Sequence, residues 1–478
     1  MADWRLPYSL TAASVLVATV AVVHSCERGA RGDSAPPPAV ADAPHADVET
    51  ADFADLVEKV RGSVVNITSK RVVAVRRTPF EEFFGPFLGR RPEGSEERRR
   101  VQQALGSGFI VDADGHVVTN FHVIEGAEDI SVKLYDGRQY DADIVGRDDK
   151  TDIALLKLRD VTGDLPVATL GRSSDLRVGE LVLAIGNPFG LGNTVTHGIV
   201  SAKGRVIGAG PYDNFVQTDA SINPGNSGGP LFDMKGRVIG VNAMIEATGR
   251  GIGFAIPVDD VRAVVPQLRA TGRVERGRIG VIFQPVTDEI AMAVGLSAAK
   301  GAMVVDVEPG GPAEQAGLRP GDVLLKVDEE VIEGPEQLAR AIAGRKPFTE
   351  VALTIFRDGE EKVVTATLGR IEPQEPTARV EQRSTKKPKG GGPPPNAPGL
   401  GIAVEDARGG GARIVSIQPG SPADGVLLPG DVIIEVDGAP VGDSRELRRL
   451  ASRPKRPAML LRVRRNGEER YVGLPLGR

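Results

Sequence analysis

The stretch Asn223-Pro-Gly-Asn-Ser-Gly-Gly-Pro230 decides how this 478-residue chain is read. A serine set between glycines on a tight turn exposes its hydroxyl while the N–H groups of the turn converge beside it. Converging amides are what the negative oxygen of a tetrahedral intermediate requires. Glycine serves there because a side chain would block a substrate, and because some turn positions need φ > 0. Alone, such a turn is more often only a turn. Ser227 becomes a candidate nucleophile when a base and an orienting acid are found for it. His122 ends an apolar strand in Val118-Thr-Asn-Phe-His-Val123, and Asp152 precedes another in Lys150-Thr-Asp-Ile-Ala-Leu-Leu-Lys157. Singly, the first reads as a core histidine and the second as a turn residue. The three together in one β-rich region are far less expected by chance.

Around them, residues 51–260 alternate apolar and polar in short runs separated by Gly- and Asp-rich turns, the pattern of an all-β sandwich or barrel. The chain order His, Asp, Ser is that of chymotrypsin-type double barrels, and no Gly-x-Ser-x-Gly elbow surrounds Ser227. A helical stretch over 258–270 closes this region. Two later segments then repeat each other, 304–323 and 414–432. Each reads as a strand, a Pro-Gly turn, a short helix starting near Pro-Ala, a Pro-Gly-Asp turn and another strand. Each repeat later carries a helix, over 336–343 and 444–451. This is one duplicated module, since solenoids need three or more shorter repeats. Residues 372–397, with Lys386-Lys-Pro-Lys-Gly-Gly-Gly-Pro-Pro-Pro395, read as a flexible linker.

Length suggests about three domains. The net charge is −5, and no stretch builds a dominant basic face, so nucleic acid is not an expected partner. The single cysteine, Cys26, excludes an intramolecular disulfide and Cys-based metal sites. There is no His-Glu-x-x-His, no EF-hand loop and no phosphate-binding Gly-x-x-x-x-Gly-Lys-Ser/Thr. No metal, cofactor or ATP requirement is therefore expected. His197 lies between the acid and the serine in chain order and reads as a surface-strand residue. The apolar run 9–23 is shorter than the ~20 residues of a spanning helix and suits a signal-peptide core. Cys26 follows it in a lipobox-like setting. Lipidation at Cys26, an uncleaved anchor and a plain export signal remain open, and all three place the chain in the cell envelope, with membrane attachment in the first two. Residues 27–50 form a Pro-containing tether.

The set Thr119-Asn-Phe-His-Val123, Thr151-Asp-Ile-Ala-Leu155, Gly186-Asn-Pro-Phe-Gly190, Gln217-Thr-Asp-Ala220, Ile222-Asn-Pro-Gly-Asn-Ser-Gly-Gly-Pro230 and Gly251-Ile-Gly-Phe-Ala-Ile-Pro257 resembles the HtrA/Deg family of serine proteases. The duplicated module is similar to that family's PDZ domains, so the resemblance covers about residues 51–478. It implies a mainly β fold: a chymotrypsin-like double β-barrel protease domain over 51–270, followed by PDZ domains over 277–371 and 398–478. It further implies an ATP-independent endopeptidase acting on unfolded or misfolded envelope proteins, assembled as a trimer or larger oligomer. On this chain Ser227 would be the nucleophile, His122 the general base and Asp152 the residue that orients it. The N–H groups of Gly225 and Ser227 would form the oxyanion hole, on a turn that includes Asn226.

Ile222 and a loop at Asn242, Ala243, Met244 and Ile245 would line the specificity pocket. These residues include no acid, which favours cleavage after small aliphatic residues over trypsin-like specificity. The loop 204–211 matches the family's sensor loop, with Arg205 as its charged relay. Four phenylalanines within 79–87 resemble the aromatic segment of the family's oligomers. In the PDZ modules, Arg278, Ile279, Gly280 and Val281, and Gly399, Leu400, Gly401 and Ile402, would receive C-terminal peptides by strand addition and carboxylate capture. The competing reading is a binding module or chaperone that captures unfolded chains without cutting them. The intact triad favours the protease.

Overall fold

A computed structural model describes residues 53–75, 98–187, 192–223, 225–245, 251–371, 396–397, 399–452, 454 and 456–476. Cys26, the aromatic stretch 79–87 and all but two residues of the linker 372–397 lie outside the described residues.

The first barrel comprises β1 (Val64–Val75), β2 (Arg98–Ile110), β3 (His116–Asn120), β4 (Asp129–Lys133), β5 (Gln139–Asp148) and β6 (Ile153–Leu158). It closes in the order β1-β2-β3-β6-β5-β4. Tyr140 and Ala142 face inward on β5 while Gln139, Asp141 and Asp143 face water, the two-residue period of a half-buried strand. Val65, Ile67, Ile110, Val132 and Leu156 fill the interior.

The second barrel uses β7 (Thr169–Leu170), β8 (Leu181–Gly186), β9 (Thr194–Arg205), β10 (Phe215–Thr218), β11 (Pro230–Asp233), β12 (Arg237–Ile245) and β13 (Gly253–Pro257). Pairing of β11 with β12 closes the ring β11-β8-β9-β10-β13-β12, and β7 joins β12 in parallel. One apolar cluster runs through the seam between the barrels. Val64, Phe109, Val118 and Leu155 of the first meet Leu183, Ile185, Phe232 and Val241 of the second. Helix Val258–Thr271 buries Val258, Val261, Val264 and Leu268, a helical stripe, in this cluster. It ends at Gly272, whose left-handed φ of 72° lets its N–H reach Leu268 O at 2.9 Å.

Two further sheets follow. The first places Val281–Pro285, Ala302–Val307, Val323–Val327, Glu350–Arg357 and Glu360–Thr367 side by side, with helix Pro335–Ala343 packed on Val281–Pro285 and Val323–Val327. The second repeats this with Ile402–Asp406, Ala412–Ile417, Val432–Val436, Ala458–Arg465 and Glu468–Pro475 and helix Ser444–Ala451. The copies differ in two places. The short helix expected after each Pro-Ala forms at Pro312–Gln315 but not after Pro422. Gly425, at φ 78°, stands where the first copy has Gln315 and turns the chain before a helical turn completes. In addition, Asn396–Ala397 pairs with Ile402 and Ala403 on the outer edge of the second sheet. The matching edge Val281–Pro285 carries no such strand among the described residues.

The modules also touch. Gln284 and Tyr471 exchange two side-chain-to-backbone hydrogen bonds of 2.9 and 2.8 Å. Tyr471 joins Val286, Ile290, Met303 and Val305 in one apolar cluster.

Candidate active site

Strand register brings His122 and Asp152 together. On the β3–β6 pair, Asn120 faces Ile153. The residues just beyond each end, His122 and Asp152, are therefore neighbours. His122 is not on the strand, as its sequence context suggests, but on a helical turn, Phe121–Ile124, that begins where β3 ends. Asp152 holds the turn before β6 at φ 55°, a left-handed conformation that Asp tolerates better than most residues.

The two residues are then clamped. His122 Nδ1 lies 2.7 Å from Asp152 Oδ2, and the His122 backbone N–H donates to Oδ1 at 2.9 Å. Asn120 Nδ2 and the Phe121 N–H both donate to Asp152 O, at 3.0 and 3.1 Å. The carboxylate thus fixes the ring by its Nδ1 side and leaves Nε2 as the free nitrogen.

Ser227 arrives from the second barrel, on the loop before β11, and the first barrel anchors that loop. The Ser107 N–H donates to Ser227 O at 2.8 Å, and Ser107 Oγ donates to Gly225 O at 2.6 Å. Thr119 Oγ1 in turn donates to Ser107 O at 2.7 Å, tying the anchor to β3. Packing here is close enough to demand glycine. A Cβ on Gly228, which sits at φ 83°, would fall 2.2 Å from Ser107 O and 2.3 Å from Thr119 Oγ1. One on Gly229 would fall 2.3 Å from Ile185 O.

Among the described residues, the backbone N–H groups of Gly225 and Ser227 meet no carbonyl, while those of Asn226, Gly228 and Gly229 do. Gly225 takes φ 106°. Asn226 is buried, and its Nδ2 donates to Ser221 O at 3.4 Å. The Ser227 hydroxyl donates to Ala243 O at 3.2 Å rather than to His122.

Ile222 is buried among apolar residues of the second barrel. Residues 242–245 are not a loop but part of β12. Asn242 is fully buried with Nδ2 donating to Pro230 O at 3.2 Å, which leaves Ala243 to contribute its carbonyl to Ser227. The side chains of Met244 and Ile245 lie outside the described residues. A cleft of about 440 Å³ opens beside His122 and Asp152 and runs between Lys150, Tyr212, Asp213 and Asp260. Burial pushes the Asp260 carboxyl up to about 6, against the opposing pull of Arg340.

Among the described residues, no hydrogen bond or ion pair links Arg205 to the first PDZ-like sheet. It closes β9 and donates from Nε to Gln217 Oε1 at 2.8 Å. The contact is made further along the same segment: Arg340 donates to Asp213 O at 2.6 Å, and Arg276 stacks on Tyr212 at 4.9 Å. His197 lies exposed on β9 with its ring 5.1 Å from Phe53. One group of acidic and histidine side chains, Asp112, Asp114 and His116, has ligand atoms within 4.8 Å of one another. Its Asp112 already accepts from the His116 N–H at 3.1 Å and from Arg269.

A family model described as trypsin-like peptidase domain matches residues 106–241, and one described as PDZ domain matches twice, over 277–368 and 398–476. A protein of Halomonas elongata named as a probable periplasmic serine endoprotease, DegP-like, is 39% identical over 454 residues, covering 89% of this chain and 93% of its own. The solved HtrA-type protease AlgW with a decapeptide superimposes with a TM-score of 0.55 at 38% identity, over 67% of this chain and 99% of that one. The chain belongs to the HtrA/DegP-like family of serine endoproteases. A DegP-like relative from Brucella melitensis biotype 1 is 39% identical over 466 residues, 90% of each chain. AlgW with a tripeptide gives a TM-score of 0.57 at 37% identity over 68% of this chain and 98% of that one.

The HtrA-type fold also shows what the sequence reading passed over. Ser107 and Thr119 hold the serine loop, yet neither stands in the triad motifs as a reactive residue. The available signal was Gly106-Ser107-Gly108, a serine between two glycines on a strand. A Cβ on Gly106 would lie 2.6 Å from Val123, and one on Gly108 2.8 Å from Val118 O, so both glycines mark close approach. Among the described residues no helix is long and apolar enough to cross a membrane.

Proposed function

We propose that this HtrA/DegP-like protein hydrolyses unfolded envelope polypeptides through Ser227, His122 and Asp152, without ATP. Ser227 Oγ attacks the scissile carbonyl carbon while His122 Nε2 takes its proton. The C–N bond then breaks as His122 returns that proton to the leaving amine, leaving an acyl-serine that water releases by the same sequence. Asp152 holds the ring and stabilises the imidazolium. The N–H groups of Gly225 and Ser227 receive the oxyanion. The observation that carries the reading is the double clamp of Asp152 on His122, set beside a serine loop that Ser107 pins from the other barrel. Catalysis then begins when the Ser227 hydroxyl leaves Ala243 O for His122 Nε2.

Ile222 is apolar, and 242–245 offers no acid, which supports cleavage after small aliphatic residues. The two PDZ modules support capture of peptide segments by strand addition. The names of the relatives support a periplasmic site of action, and we place this chain there as a trimer or larger oligomer. The test is digestion of a permanently unfolded protein without ATP, comparing the parent chain with Ser227→Ala and mapping the cuts. Cuts after Val and Ala that disappear in the variant support both assignments. Cutting that persists in Ser227→Ala removes Ser227 as nucleophile, and cuts after Lys or Arg remove the specificity assignment alone.

A further inference from the structure

The two PDZ modules have the same backbone at the loop where a peptide end would sit, but different chemistry. Glu308 N–H donates to Gly280 O at 2.9 Å, and Gln418 N–H donates to Gly401 O at 2.8 Å. The next bonds match as well, with Gly311 N–H to Glu308 O at 3.0 Å and Ser421 N–H to Gln418 O at 3.1 Å. Glu308 and Gln418 are therefore equivalent positions, one charged and one neutral. By the same register Arg278 corresponds to Gly399.

In the first module the Glu308 side chain lies in the loop itself. Its Oε2 sits 2.7 Å from where a Cβ on Gly280 would be. Oε2 is 2.8 Å from Arg278 Nη2, but out of line for a hydrogen bond, and among the described residues this buried oxygen has no hydrogen-bond donor. Asp306 lines the same groove. Arg278 cancels one of the two carboxylates and one negative charge remains. The groove beyond is apolar, with Ile279, Val281, Leu338 and Ile342 along it. Its strand edge, Val281–Pro285, is unpaired among the described residues. The corresponding edge of the second module already carries Asn396–Ala397.

A free C-terminal carboxylate brought to this loop would meet the Glu308 carboxylate and would compete with it for Arg278. Like charges so placed are strongly unfavourable. A donor brought to the same point would instead face the Glu308–Arg278 pair without repulsion, and a cation would also answer the residual negative charge beside Asp306. We propose that the first PDZ module selects internal, basic stretches of an unfolded chain and rejects free C-termini, with Glu308 as the specificity-determining residue. The proposal rests on the reading of these modules as peptide-capturing, and it adds what is captured. Half-exposed Arg278 and Glu308 leave room for a chain to continue past the loop.

The experiment uses the full chain carrying Ser227→Ala, so that peptides are not cut, with and without Glu308→Gln. The variant places in the first module the residue type that the second already tolerates. The probes are an apolar decapeptide with one lysine near its C-terminal end, made with a terminal amide or a free carboxylate, and the amide with norleucine in place of lysine. Affinity is read by fluorescence anisotropy and location by hydrogen exchange over 281–285, with 402–406 as reference. We expect the lysine amide to bind at least tenfold tighter than the free acid and to slow exchange over 281–285. We expect the norleucine peptide to bind more weakly, and Glu308→Gln to erase both differences. A free acid that binds as well as the amide and protects 281–285 in the parent overturns the proposal and leaves peptide capture standing. Peptides that protect neither strand overturn both.

Discussion

Asp152 touches His122 through both carboxylate oxygens, one on the ring and one on the backbone, so it sets the ring's position as well as its charge. Asp152→Asn keeps the size of the side chain but presents an amide group to Nδ1, which favours the wrong tautomer. Its kcat is expected to fall by roughly four orders of magnitude with KM nearly unchanged, measured with a chromogenic peptide. Ser107 acts one step back from the chemistry. It is fully buried, and its hydroxyl accepts from Asn187 N at 2.8 Å while donating to Gly225 O. Ser107→Ala strands both groups at a cost of about 1–3 kcal/mol. It should lower the unfolding midpoint and reduce kcat more than KM, whereas a purely structural residue would leave kcat intact. His122, Asp152 and Ser227 were legible because each stands in a distinctive motif and their order is restrictive. Ser107 was not, because the bond that gives it meaning joins residues 118 apart in the chain.

At the scale of elements, the Ser227 loop is shaped by contacts that only glycine permits. Gly228→Ala would place a Cβ against Ser107 O and Thr119 Oγ1 at a left-handed φ. Activity is expected to be lost while the β-rich circular dichroism spectrum persists, because the misfit displaces one loop and not the barrels. Native thermal stability together with full activity would contradict the tight-packing argument. The strands and the order of the duplicated modules were readable from alternation and from Pro-Gly-Asp punctuation. What the sequence did not carry was register and local termination. His122 sits on a helical turn because β3 stops at Asn120, and residues 242–245 form a strand because they pair with β13. The second copy lost its short helix to Gly425, and Arg205, paired across the strands with Phe215, sends its guanidinium along the sheet to Gln217.

Across the whole molecule, the peptidase barrels and the first PDZ module are joined by buried charge. Arg276 reaches Asp148 at 2.8 and 2.5 Å, with the two side chains 10% and 5% exposed. Asp148 also accepts from the Thr151 N–H at 3.2 Å, inside the turn that presents Asp152. The joint thus leads directly to the turn that holds Asp152. Asp260 lies in the same region, and burial raises its carboxyl from the ordinary 3.8 to about 6. Between those values the folded protein holds a proton that the unfolded chain releases. Stability from this group is therefore full below 3.8 and is lost as pH rises through about 6. Asp260→Asn should match the parent near pH 4 and exceed it above pH 6 by at most about 3 kcal/mol. Calorimetry across that range checks the sign, and a variant less stable than the parent at neutral pH would show that the ionised group is needed. The central claim is that one serine, presented by this two-barrel frame, performs the chemistry. Its most direct test is to trap the enzyme with a fluorophosphonate while it digests an unfolded protein and to locate the adduct by mass spectrometry. The account predicts a single adduct on Ser227, absent in Ser227→Ala and strongly reduced in Asp152→Asn. An adduct on another residue, or digestion that continues after Ser227 is fully modified, would contradict it.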